Sequence, residues 1–174
     1  MSAPSARLLV WAGEDYACIR IIGRANFSSS VDFRTLINEL RQQGCSYFVL
    51  DLAECVLMDS TFLGVLAGFG LKLSAGNGDQ GRHGIELLNP NPRITELLDT
   101  LGVLHLFKLT QGPLPLPEQA EPRSQAPGSP TRAEVARTCI EAHQTLADIS
   151  PANAAKFKDV AQFLAEGLKK SKGE

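Results

Sequence analysis

The segment from Val49 to Gly64 constrains this chain more than any other. An apolar run ends at Leu52, and after a short turn an acidic residue and a serine, Asp59 and Ser60, stand where a helix must begin. The first backbone amides of a helix lack partners within it, and the helix N-terminus carries about half a positive charge. A serine there is well placed to accept and lose a phosphate group, so the sequence predicts a phosphorylation switch at Ser60.

Strand-like apolar runs alternate with helical patterns along residues 7–111, which predicts an α/β domain of the order ββαβαβαβ. The predicted strands are Leu8–Trp11, Tyr16–Ile22, Tyr47–Leu52, Ile85–Leu88 and Leu106–Leu109. The predicted helices are Val31–Arg41 capped by Ser28–Ser30, Thr61–Ser74, and a helix that follows Asn91 and Pro92 and ends at Gly102. Strands separated by helices require crossover connections, so we expect a mixed sheet with a parallel part.

A different composition follows this domain. Residues 112–130 hold six of the ten prolines, so we expect an extended linker without packed structure. Residues 131–174 begin with a capping box, Thr131 and Glu134, and their apolar spacing predicts a hairpin of two amphipathic helices separated at Pro151. Such a hairpin cannot bury both faces alone, so it must dock on the α/β domain, on a second copy of the chain, or on a partner.

The helix that begins at Thr61 is apolar on nearly every side. Gly64 and Gly68 lie four residues apart and continue the line of Ser60. They form a shallow strip that another backbone can approach closely. This surface is covered either by the C-terminal hairpin of the same chain or by a partner or a second copy, and the sequence leaves these alternatives open. Thr61 itself is either a first-turn helix residue or a second phosphorylation site.

Composition and charge argue against several classes of function. The net charge of −2 shows no excess of basic residues for nucleic-acid binding, and no apolar run is long enough to span a membrane. The four cysteines lack metal-ligand spacing and are expected to be reduced. The first seven residues do not have the pattern of an export signal, so we expect a cytoplasmic protein.

No pattern of catalytic or ligand residues stands out. The glycine motif Gly76–Gly81 follows a helix and precedes a strand, the reverse of the order that a dinucleotide site needs. His83, His105 and His143 are scattered and are expected at the surface or half-buried. Ser60 lacks the sequence context of a nucleophile elbow. We therefore expect no enzymatic activity, no cofactor and no metal.

The segment Asp59–Gly64 resembles the D-S-[ST]-G-L-G signature of the STAS domain, the family of the bacterial anti-sigma factor antagonists. The predicted element order and the helix end Leu101–Val103 are similar to that family as well. The resemblance covers Arg7 to about Leu109. It implies that Ser60 is phosphorylated by a serine kinase of the histidine-kinase-like ATPase fold, which also serves as the anti-sigma factor. It also implies a manganese-dependent serine phosphatase that removes the phosphate.

The chain departs from the family pattern at two positions. Phe62 stands where the family has a glycine, which puts a large apolar group beside the predicted switch. Asn26 stands where the family has an acidic residue, which removes a charge that would repel a phosphate. Asp59 either caps the helix or orients the Ser60 hydroxyl toward the kinase.

The sequence therefore predicts a phosphorylation-gated, protein-binding regulator. We expect the partner to contact Asn26, Asp59, Ser60, Thr61, Phe62, Leu63, Gly64, Ala67 and Gly68. Two alternatives stay open. One is a STAS scaffold that is not phosphorylated and forms a homodimer through the C-terminal helices, and the other is an accessory subunit of a lipid or anion transport system.

Overall fold

The computed structural model describes residues 6–76, 84–117, 120–125 and 128–157. Most of the predicted glycine motif, together with His83, and the C-terminal part of the predicted hairpin lie outside these residues. In the described chain the strands are β1 (Arg7–Ala12), β2 (Tyr16–Ala25), β3 (Tyr47–Asp51), β4 (Cys55–Met58), β5 (Ile85–Leu88), β6 (Lys108–Thr110) and β7 (Arg123–Ser124). The helices are α1 (Phe27–Gln42), α2 (Ser60–Gly76), α3 (Pro92–Thr100), a 3-10 turn (Leu104–Leu106), α4 (Arg132–Ile149), and a further helix that begins at residue 151.

Parallel strands form the centre of the sheet. The strand order is β6-β5-β3-β2-β1-β7, in which β2, β3, β5 and β6 run parallel and β1 pairs antiparallel with β2 and β7. The short strand β4 lies beside the end of β2, where it pairs with Gly23, Arg24 and Ala25. The predicted mixed α/β fold is confirmed. Strands β4 and β7 are additions, too short for apolar spacing to indicate.

The start of α1 differs from the predicted start. The side chain of Asn26 accepts hydrogen bonds from the backbone amides of Ser28 and Ser29, both at 3.1 Å. Asn26 is therefore the cap, and the helix begins at Phe27. The prediction that the serines cap a helix starting at Val31 is wrong, because they lie inside its first turn.

Helices α1 and α2 cover one face of the sheet, and aromatic rings fill the space between them. The ring centroids of Phe33 and Phe62 lie 4.9 Å apart, and the ring of Phe69 packs against Phe33 edge-on at 6.2 Å. Phe62 is fully buried. The expectation that it faces a partner beside Ser60 is wrong. Side chains two residues apart on a helix point in nearly opposite directions, so Phe62 faces the sheet.

The proline-rich segment covers part of the opposite face of the sheet. Leu114 and Ala120 of this segment pack against an apolar cluster on that face. The cluster consists of Trp11, Cys18, Val49 and Leu88. The carbonyl oxygen of Pro115 accepts hydrogen bonds from the Tyr16 hydroxyl at 3.0 Å and from the Cys18 thiol at 3.3 Å. The expected linker without packing is therefore wrong for the described part of this segment, because apolar side chains on that face require cover.

Helix α4 packs on α1 and α2 of the same chain. Its inward face consists of the buried residues Thr138, Cys139, Ala142, His143 and Leu146. Just beyond it, the fully buried Asn153 donates from Nδ2 to the carbonyl oxygens of Leu101 at 2.7 Å and Leu146 at 2.9 Å, which ties α4 to the end of α3. The sequence left three docking sites open for the hairpin, and in the structure its first helix, α4, docks on the α/β domain. Within the described ranges, no helix combines the length and apolar character needed to cross a membrane.

Truncation of Phe62 tests its place in the core. We expect Phe62→Ala to lower the free energy of unfolding by about 3–5 kcal/mol, because it removes a fully buried ring that packs on Phe33. Leu71→Ala, on the same helix but 42% exposed, should cost less than about 1 kcal/mol. Urea denaturation measures both, and equal costs would contradict the packing.

Candidate functional site

The connection from β4 to α2 lies at the edge of the sheet where the parallel strands end. The backbone amide of Asp59 donates to the carbonyl oxygen of Ala25 at 2.9 Å, which joins this connection to the end of β2. The Oδ1 atom of Asp59 accepts from the backbone amide of Phe62, also at 2.9 Å. Asp59 therefore caps α2, and Ser60 is the first residue of the helix.

Two helix N-termini converge on the Asp59 carboxylate. Burial raises the pKa of Asp59, while the backbone amides of Phe62, Phe27 and Thr61 and the nearby His143 oppose that rise. Phe27 begins α1 and Thr61 lies in the first turn of α2. The positive ends of both helices thus face the same small region, which favours negative charge there.

The hydroxyl of Ser60 contacts a histidine from the C-terminal part of the chain. Its Oγ atom lies 2.8 Å from Nε2 of His143, which is on α4 and only 4% exposed. The expectation that His143 is a surface or half-buried residue is wrong. A signal was present in the sequence, since His143 directly follows Ala142 and lies four residues after Cys139 on the apolar face of the predicted helix.

His143 is held as a neutral ring. Burial lowers its pKa, and the carboxylate of Asp59 opposes this only in part. The ring lies 4.8 Å from that of Phe157, and its Nδ1 atom is buried. Within the described part of the chain, no carboxylate hydrogen-bonds to Nδ1 of His143, the contact that orients the histidine of a catalytic triad.

Helices α2 and α4 approach each other most closely at Gly64. A methyl group at Gly64 would lie 2.6 Å from Cβ of Ala142 and would also overlap the carbonyl group of that residue. One turn away the helices have separated, because a methyl group at Gly68 would lie 3.9 Å from the nearest atom of Thr145. The strip of small residues predicted on α2 is therefore covered by α4, with its tightest point at Gly64.

The other predicted partner contacts are mostly buried. Thr61 is 4% exposed, and its hydroxyl donates to the thiol of Cys139 on α4 at 3.4 Å. Leu63 and Ala67 belong to the hydrophobic core. Asn26 lies at the same edge of the sheet as Ser60, but its side chain is used to cap α1.

The rim of the α4 contact is polar and exposed. Arg34 of α1 and Glu141 of α4 form an ion pair at 2.7 Å, with side chains that are 41% and 57% exposed. Exposed pairs contribute little to stability. Next to it, a cavity of about 100 Å³ between α1, α2 and α4 is lined in part by Arg34, Lys72 and Thr138.

Sequence reasoning missed two exposed apolar residues near this edge. Phe27, at the start of α1, is 49% exposed, and Val56, on β4, is 55% exposed. The backbone amide of Phe27 faces Asp59, and Val56 is on the strand that ends one residue before Asp59. Over the described ranges, no group of three acidic, histidine or cysteine residues could hold a metal ion.

Comparison with known proteins identifies the domain and stops short of α4. Residues 12–112 match the family model of the STAS domain. The structure is similar to that of the anti-sigma factor antagonist SpoIIAA in its unphosphorylated form, with 22% identity, a TM-score of 0.50, and coverage of 60% of this chain and 87% of that chain. It is also similar to a Thermotoga maritima protein described as an anti-sigma factor antagonist, with 17% identity, a TM-score of 0.51, and coverage of 59% and 85%. At these identities the two similarities establish the fold, and no curated protein matches the chain.

The neutral state of His143 predicts a pH dependence. The pKa of His143 is lowered in the folded chain, so the unfolded chain binds its proton first as the pH falls below the ordinary value of 6.5. Stability should therefore be complete above that value and decline below it, by about 1.4 kcal/mol for each unit of pKa shift.

A non-titrating variant isolates this effect. Urea denaturation between pH 7.5 and pH 5.5 compares the wild type with His143→Gln, whose amide can still hydrogen-bond to Ser60. We expect the variant to lose less stability than the wild type over this range. Asp59, whose raised pKa has the opposite effect at lower pH, is present in both proteins. The same pH dependence in both proteins would contradict a buried, neutral His143.

Proposed function

The chain belongs to the STAS domain family, and from that premise we propose that it is a phosphorylation-gated, protein-binding regulator similar to an anti-sigma factor antagonist. One observation carries the proposal. Ser60 is the first residue of α2, directly after the capping Asp59 and at the edge where the parallel strands end. The role requires binding and release of a partner and needs no catalytic activity of the chain itself.

The proposed partner is an anti-sigma factor that is also a serine kinase of the histidine-kinase-like ATPase fold. In the transfer, the Ser60 oxygen attacks the γ-phosphorus of ATP, the bond from that phosphorus to the ADP oxygen breaks, and the hydroxyl proton passes to a base of the kinase. A serine phosphatase reverses the state by adding water across the new O–P bond. These steps leave α2 with either a hydroxyl or a phosphate at its first residue.

A phosphate on Ser60 would interact favourably with the N-terminus of α2. It carries a charge of about −1.5 to −2, and the unpaired amides and positive end of α2 favour such a group. We therefore propose that phosphorylation acts on the partner and leaves α2 intact. A doubly charged, hydrated group within an interface must be desolvated, and a loss of affinity of about 100-fold, or about 2.7 kcal/mol, is reached easily.

The partner surface that we propose centres on the edge around Ser60. Asp59 and Ser60 supply its polar part, and Phe27 and Val56 supply exposed apolar side chains. The buried residues that were predicted to contact a partner, such as Phe62, hold α2 in position instead. Exposed apolar side chains beside polar groups give a partner both apolar area to bury and polar atoms to hydrogen-bond.

Side-by-side capture with three proteins tests the proposal. Wild type, Ser60→Ala and Ser60→Asp are used to capture partners from a lysate of the source organism, and a captured ATPase is then incubated with the wild type and ATP. We expect phosphate on Ser60 by mass spectrometry and an affinity for Ser60→Asp at least about tenfold below that for Ser60→Ala, because the added charge must be desolvated.

An exposed serine provides the control. Ser46 precedes β3 and so lies at the opposite end of the parallel strands from Ser60. Ser46→Asp should bind the captured ATPase like the wild type. Absence of phosphate on Ser60, together with equal binding of the Ser60 variants, would refute the proposed switch.

A further inference from the structure

We infer that α4 is an intramolecular competitor for the Ser60 face, so that the kinase and the partner act on this chain only after α4 has moved away. The inference rests on the proposed function, because it names the regulation of the same site. It also assigns a role to the segment beyond residue 112, where the family match ends.

Helix α4 covers the start of α2. On one side of α2, Ser60 meets His143 and Thr61 meets Cys139, while the backbone of Gly64 lies against Ala142. These α4 residues are themselves buried. A kinase must bring the γ-phosphorus of ATP next to the Ser60 oxygen, and in the docked state an imidazole lies 2.8 Å from that oxygen.

A phosphate on Ser60 needs more space than docked α4 leaves. The three charged oxygens of a phosphate would have to fit beside the imidazole of His143. That ring is buried, and the ring of Phe157, 4.8 Å away, blocks its movement away from Ser60. The two helices are in backbone contact at Gly64, one turn along α2, so an outward shift of α4 that makes space would break that contact. Docked α4 and phosphorylated Ser60 are therefore alternatives, and each disfavours the other by the same free energy.

Helix α4 leaves while the α/β domain stays folded. The surface that it would expose on α2 is small where the helices touch, because Gly64 and Gly68 have no side chains. Its contact with α1 includes an exposed ion pair, Arg34 with Glu141, and the segment that leads into it is held to α1 by the amide of Gly128, which donates to Asp32. Each of these exposed contacts contributes little. The larger cost of release is the loss of the buried contacts of α4 and of the Asn153 hydrogen bonds, and a phosphate on Ser60 or a bound partner must offset that cost.

A pair of glycine variants tests whether α4 covers the site reversibly. Gly64→Ala overlaps Ala142, whereas Gly68→Ala makes ordinary contact at 3.9 Å, and alanine is the better helix former at both positions. The readout is the rate at which iodoacetamide alkylates Cys139 in the full chain, mapped by mass spectrometry. We expect a rate at least about tenfold higher in Gly64→Ala than in Gly68→Ala, because overpacking drives α4 off.

Two internal controls separate release of α4 from other events. Cys18 and Cys55 are buried in the sheet, and their labelling would reveal unfolding of the whole domain instead. Independence of the rates from protein concentration shows that α4 docks within one chain and not on a second copy. Equal Cys139 rates in the two glycine variants, or equal acceleration at all three cysteines, would overturn the inference.

A second pair of variants tests the effect of charge without any partner. Ser60→Asp and Ser60→Asn have nearly the same shape, and only the first carries a negative charge. We expect Cys139 to be alkylated about tenfold faster in Ser60→Asp, because a charge facing buried apolar surroundings must be rehydrated. Equal rates, or slower labelling of Ser60→Asp through an ion pair with His143, would overturn the inference.

The competition itself is measured with the ATPase captured through the wild type. Gly64→Ala should bind it more tightly than Gly68→Ala and should be phosphorylated faster on Ser60. Faster labelling of Cys139 without tighter binding would overturn the competition. If no ATPase is captured, the proposed function fails, while the labelling experiments still decide whether α4 covers Ser60 reversibly.

Discussion

One close contact between two helices determines how this chain presents its candidate site. At Gly64 the backbone of α2 lies against Ala142 of α4, and the space between them admits no side chain. Because the helices touch there, their neighbouring residues must also meet, and His143 is brought onto the hydroxyl of Ser60. A glycine in the middle of a helix usually weakens that helix. Here its missing side chain allows α4 to cover the start of α2.

The same contact joins groups with opposite electrostatic preferences. The N-termini of α1 and α2 point their amides at the region around Asp59, an arrangement that favours a negative charge. The imidazole of His143, by contrast, is kept neutral by burial, which lowers its pKa. The proposed phosphate on Ser60 would be stabilised by the amides of α2 and destabilised by burial beside this neutral ring. In our account, that conflict lets a single modification change the position of α4 without disturbing the sheet.

The features that could be predicted from sequence are those that local chemistry controls. Asn91 caps α3 as predicted, and the strand Ile85–Leu88 has its predicted bounds. The position of Phe62 was predicted wrongly because α2 is apolar on nearly every side, so spacing alone could not distinguish the sheet side from the outer side. The bond between Ser60 and His143 joins residues 83 positions apart, and no local pattern pairs them. The packing of the proline-rich segment escaped prediction for a similar reason, since its partners lie on distant strands.

Hydrogen exchange on the full chain, with Ser60 either unmodified or fully phosphorylated, tests the central claim most directly. In the unmodified chain we expect the amides of α4 to be protected along with those of β2 and β3. Phosphorylation should lower the protection factors of the α4 amides at least about tenfold, because release of the docked helix limits exchange there. The amides of β2 and β3 should stay protected. Unchanged or increased protection of α4 after phosphorylation would contradict the account.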